Sequence, residues 1–158
     1  MVKKFIFIFL FLVSLSEADI FDKGKMNFGV SAGSSSSYNT TYFLVGLSAN
    51  YFVIDNLNMG LMYRSWLGSD PLQNELSLSS NYFLRFNKEI RPYIGAFIRE
   101  RFISGYDDTT IYGARGGISF ISNNTYASVG YAYESFSNCG VTNECSTSYP
   151  EVVIGLSF

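Results

Sequence analysis

From Lys25 to the last residue the chain changes chemistry at every second position, in eight strand-length segments, and no window carries an apolar stripe of helical spacing. A period of two is what a pleated strand imposes, because successive side chains leave it on opposite faces. A chain patterned this way has sheets to build and little else.

The alternation predicts strands at 25–34, 40–53, 57–68, 74–87, 90–104, 109–122, 126–137 and 148–158. Tight turns are expected at 54–56, 88–89 and 123–125, with Asn and Asp chemistry in the first and last, whereas the connections at 34–39, 69–73, 105–108 and 138–147 are longer and more polar. Ser34 to Ser37 read as part of a solvated loop. Short turns at one end and long loops at the other are the plan of an up-and-down barrel that crosses a membrane.

Splitting the strands by parity gives two chemically opposite faces. One reads Phe43, Val45, Leu47, Ala49, Tyr51 on the second strand and Leu76, Leu78, Tyr82, Leu84 on the fourth. The other carries most strand glycines together with Arg64, Glu75, Arg85, Arg99, Arg101, Arg115, Glu134 and Glu151. A soluble barrel would turn the apolar face inward and a membrane barrel outward. The glycines decide for the membrane, because the interior of eight strands is crowded and charges of both signs can neutralise each other there. The fold class expected is all-β, an eight-stranded antiparallel up-and-down transmembrane β-barrel.

Several details fit that frame. Aromatics near strand ends (Tyr42, Trp66, Phe102, Tyr112 and Tyr133 toward the loops; Tyr51, Tyr82, Phe86, Phe120, Tyr126 and Phe158 toward the turns) are expected in interfacial girdles. Glu100 has the parity of the lipid face but lies near its outer edge. Pro92 and Pro150 fall within the first few residues of their strands, where pairing is only starting. In the lumen, Arg99 is expected opposite Arg115, Glu134 beside Arg115 and Glu151 near Glu134, a mutually satisfied charge network that plugs the barrel.

Composition narrows function. Charged residues make up 15% of the 158, against about 25% in soluble domains. The chain has no His, which removes the commonest general base, metal ligand and triad member. No catalytic, cofactor or metal site is expected. A formal charge of −2 without a basic cluster excludes nucleic acid as a partner.

Two positive charges in the first four residues, the apolar run Phe5 to Val13 and the ending Ser16-Glu17-Ala18 describe an export signal spanning 1–18, removed to leave a barrel domain of residues 19–158. Nine apolar residues are too few for the ~20 of a spanning helix. An exported chain meets oxidising conditions, so Cys139 and Cys145, the only cysteines, are expected to form a disulfide closing one loop.

Tyr51-Phe-Val-Ile-Asp-Asn-Leu-Asn-Met-Gly-Leu61, Arg91-Pro-Tyr-Ile-Gly-Ala96 and the terminal Val153-Ile-Gly-Leu-Ser-Phe158 together resemble the small outer-membrane β-barrel proteins of the OmpX and OmpW type. The resemblance covers the whole chain after the export signal. Phe158 with Leu156, Ile154 and Val152 resembles the C-terminal signal read by the barrel-assembly machinery of Gram-negative bacteria. The resemblance implies an outer-membrane location, with outer-membrane lipid and that machinery as partners. It further implies a structural, adhesive or stress-related role, with loops open to an extracellular ligand. Relatives with enzymatic activity use catalytic His, which is missing here. Two other functions compete: a narrow channel or transporter for small solutes or apolar molecules, and a secreted soluble ligand-binding barrel.

Overall fold

In a computed structural model the chain forms a closed ring of eight antiparallel strands, each paired with its sequence neighbours and the last with the first. The structure describes residues 19–37, 40–68, 71–137 and 145–158. The strands are β1 (Met26–Ser37), β2 (Thr40–Ile54), β3 (Leu57–Leu67), β4 (Gln73–Phe83), β5 (Ile90–Ile103), β6 (Thr109–Ser122), β7 (Thr125–Phe136) and β8 (Ser146–Ser157).

The two faces lie as the glycines indicated, the apolar one outward and the polar one inward. Leu61, Leu78 and Ile98, side by side across β3, β4 and β5, point away from the barrel, as do Phe43, Leu47, Val129 and Ile154. Arg64, Glu75, Arg99 and Glu134 point inward and are buried. From the turn end up to the rung of Gly33 and Glu151, closure leaves no open sheet edge, the condition for a sheet to sit in lipid.

Glycines make room for inward aromatic rings. Gly113 lies under the Phe97 ring of its register partner and Gly155 under the Tyr126 ring of its own, so that a Cβ at either would collide with the ring. Asn56 and Asn123, in the turns after β2 and β6, hold positive φ of 64° and 52°, which Asn tolerates better than most residues.

Three expectations are corrected. Ser34–Ser37 are strand, paired with Thr40 to Phe43, because the partner segment is rich in Thr and aromatics and extends the ladder. β4 stops at Phe83 and not at 87. Leu84 N donates to Pro92 O and Asn87 N to Ile90 O, so one side of the hairpin carries an extra residue there and the chain bulges at Arg85 and Phe86. Asn87 Oδ1 then accepts the Glu89 and Ile90 amides to close the turn. Tyr42, Trp66 and Tyr126 belong to no girdle: all three are buried inside. Phe102, Tyr112, Tyr133, Tyr51, Tyr82, Phe86, Phe120 and Phe158 do face outward.

The β1–β8 ladder differs from the rest. It rises from Met26 and Phe158, which exchange backbone hydrogen bonds at 2.9 and 3.2 Å, to Gly33 opposite Glu151. Even-numbered residues of β8 direct their backbone groups to β1, so the next rung would need Pro150, which has no N–H. Above it, Ser34–Ser37 pair with β2 only and residues 146–150 with β7 only.

Candidate functional site: the filled lumen

The lumen is built in three layers. At the loop end Tyr42, Leu44, Trp66, Phe97, Ala132 and Tyr149 pack together. At the turn end Ile20, Phe21, Phe52, Phe83, Tyr93 and Tyr126 form a second cluster. Between and beside them run the charges.

Glu75 and Arg101 are direct register partners on β4 and β5, and Arg101 Nε donates to Glu75 Oε1 at 2.7 Å. Its Nη2 donates to Glu134 Oε1 on β7 at 2.8 Å. Arg99 Nη1 lies 2.8 Å from Glu134 Oε2 and 3.1 Å from Glu75 Oε2, and also donates to Tyr149 Oη. Arg64 on β3 bonds Tyr149 Oη at 2.7 Å and pairs with Glu151, which Arg115 Nη1 reaches at 3.2 Å. Arg115 Nε donates to Asn81, which donates to Asn58. The network thus joins six strands.

Four guanidiniums meet three carboxylates here. The excess positive charge lies against ring faces: Arg101 is 4.2 Å from the Trp66 centroid, Arg99 4.3 Å from Phe97 and Arg64 5.5 Å from Tyr149. Ring quadrupoles stabilise a cation so placed, the more so away from water. Each carboxylate has at least two guanidiniums beside it.

The expected residues fall into place unequally. Arg64, Glu75, Arg99, Arg101, Arg115, Glu134 and Glu151 face the lumen. Arg85 does not. The bulge after Phe83 carries it to the rim, where it is exposed and meets the exposed Asp55 at 3.5 Å. The expected pairings also shift. Arg99 stands opposite Ile111 and Arg115 opposite Gly95, because the β5–β6 hairpin turns about Gly105, at a φ of 81°, with Tyr106 N donating to Ile103 O. Glu134 stands opposite Gly113, and its partners are Arg99 and Arg101 rather than Arg115. Val152, Ile154, Leu156 and Phe158 face outward, Phe158 edge-on to Phe28 with centroids 6.1 Å apart. Cys139, the expected partner of Cys145, lies outside the described residues, as does the expected export signal.

Sequence reading missed residues 19–24. Phe21 is fully buried in the turn-end mouth and stacked on Phe83 at 4.2 Å, with the Arg91 guanidinium 5.1 Å from its centroid. Arg91 also bonds Asn56 and the Asp19 carboxylate. An apolar pair, Ile20-Phe21, between two Asp residues was the available signal.

The barrel matches solved structures over nearly its whole length. The N-terminal β-barrel domain of Pseudomonas aeruginosa OprF superposes with a TM-score of 0.68 at 19% identity, covering 86% of this chain and 98% of that one. Neisserial surface protein A gives 0.65 at 18% identity, covering 85% and 96%. The outer membrane protein OprG of Pseudomonas aeruginosa gives 0.57 at 12%, covering 89% and 99%. This chain has the fold of the small eight-stranded outer-membrane barrels. No protein-family model matches it, and no curated protein does. At these identities the likeness concerns architecture, and the lumen must be read from this chain's own residues.

Proposed function

We propose that the chain is a non-enzymatic integral outer-membrane protein, exported by a signal cut after Ala18, whose plugged barrel serves as a rigid mount for four external loops. The observation that carries this reading is the combination of an outward apolar belt with a lumen filled by the Arg–Glu network and closed at the turn end by Phe21. The belt supports membrane insertion, and the filled lumen supports a role other than conduction. Similarity to outer-membrane barrels supports the location, with the turns toward the periplasm and the loops outside. Variable recognition belongs to the loops, since backbone there is free of the ladder. Fractionation should recover the protein only from detergent-extracted outer membranes, and the purified barrel should conduct little in planar bilayers. Recovery in the soluble periplasm would reject the membrane reading, and steady single-channel conductance would replace the mount with the channel.

A further inference from the structure

We propose that the cut after Ala18 completes the barrel's lower stopper: it frees the α-amino group of Asp19, whose ammonium is then held by the Asp22 carboxylate inside the turn-end mouth. The proposal rests on the reading of residues 1–18 as a cleaved signal. Hydrolysis adds water across the Ala18–Asp19 amide, leaving a carboxylate on Ala18 and an amine on Asp19 that takes up a proton at neutral pH.

The seat for that amine is already built. The Asp19 nitrogen lies 3.0 Å from Asp22 Oδ2, while Asp19 Oδ1 accepts the Phe21 amide at 3.1 Å and its other oxygen pairs with Arg91. Arg91 gives Asp19 a counter-ion, and a charge on the nitrogen gives Asp22 the same. A neutral peptide N–H makes the same contact with about half the strength of a charge-assisted one.

The residues that follow are tied to the barrel on several sides. Ser157 Oγ donates to Ile20 O at 3.2 Å and Asn56 N to Phe21 O at 2.8 Å. Lys23 N donates to Asp55 Oδ1 at 3.0 Å and Gly24 N to Phe52 O at 2.9 Å. These bonds hold the Phe21 ring among Phe52, Phe83 and Tyr126. Asp19 itself lines an open depression of about 360 Å³ on the rim with Asp22, Arg85, Asn87, Lys88 and Arg91.

The test compares refolded barrels in detergent: one beginning at Asp19, the same chain N-acetylated, the Asp22→Asn variant, and the variant acetylated. Acetylation removes the charge and adds no chain. Acetylation and Asp22→Asn should each lower the unfolding midpoint by about 2–4 °C, and the two together by no more than one alone. Mass spectrometry of the outer-membrane form should give Asp19 as its first residue. A different first residue would overturn the cleavage reading and the proposal with it. A first residue of Asp19 with no effect of acetylation, or with fully additive effects, would overturn the ammonium seat alone.

Discussion

Glu134 holds two guanidiniums at once, Arg99 and Arg101 each at 2.8 Å, in a place with no solvent. Truncation therefore costs more than a bond, because it leaves two buried cations with one shared carboxylate fewer. Glu134→Ala is expected to destabilise the barrel by about 3–5 kcal/mol in denaturant titrations in detergent, with Glu134→Gln losing less. Arg115 should be little affected, since its partner is Glu151. Arg85 provides the contrast. Its pairing with Asp55 is exposed on both sides, so Arg85→Ala should change stability by less than about 0.5 kcal/mol in the same assay. A large loss at Arg85 would mean that the rim bulge holds more of the fold than its contacts indicate.

At the scale of elements, alternation made eight strands and their faces legible, because a period of two leaves no choice of which residues share a side. Register was less legible. The 105–108 loop fits several hairpins, and the one observed turns about Gly105, four rungs away from setting Arg99 against Arg115. Side-chain reach then did what register did not: Arg115 on β6 meets Glu151 on β8 across the bare backbone of Gly130. The β4 bulge was invisible for a similar reason, since Arg85 keeps lumen parity in sequence and loses it through one extra residue. The N-terminal segment lacked any period at all. Phe21→Ala should nevertheless cost about 3–5 kcal/mol, the range for a fully buried aromatic, as read by thermal and denaturant unfolding. On the outer face, Leu78→Arg in the middle of the row formed with Leu61 and Ile98 should cost about 2–4 kcal/mol in lipid.

For the whole molecule, biogenesis and oxidation make separate demands. Deleting Phe158, or replacing it with Asp, should reduce outer-membrane levels more than refolding in detergent. Normal levels would remove Phe158 from the assembly signal. A Cys139–Cys145 bridge would show in unreduced peptides as a mass two hydrogens below the free thiols, and two free thiols would exclude it. It closes a short loop, so reduction should barely move the unfolding midpoint of a barrel whose ladders close without it.

The early end of the β1–β8 ladder fixes how deep the protein sits. Backbone groups with no partner cannot lie in hydrocarbon, so the lipid must end at or below the rung of Gly33 and Glu151. Across the barrel, outward Ser65, Asn74 and Glu100 draw the same waterline, with Tyr63 and Ser65 donating to Asn74 Oδ1 and Thr110 to Glu100 Oε2. Glu75, Arg64, Arg99 and Arg101 each neighbour one of these outward polar residues in sequence, Glu151 is itself the ladder's last rung, and Glu134 pairs with Arg99 and Arg101. Only Arg115, between Ala114 and Gly116, lies clearly deeper. The ions other than Arg115 thus ride at headgroup depth, and the membrane's middle is crossed by Arg115 with Asn, Ser and aromatic rings. Hydrogen exchange should find the amides of Ser36 and Ser148 quick and those of Phe28, Val30 and Val152 slow, with the boundary between the two marking the surface of the sea in which the barrel floats.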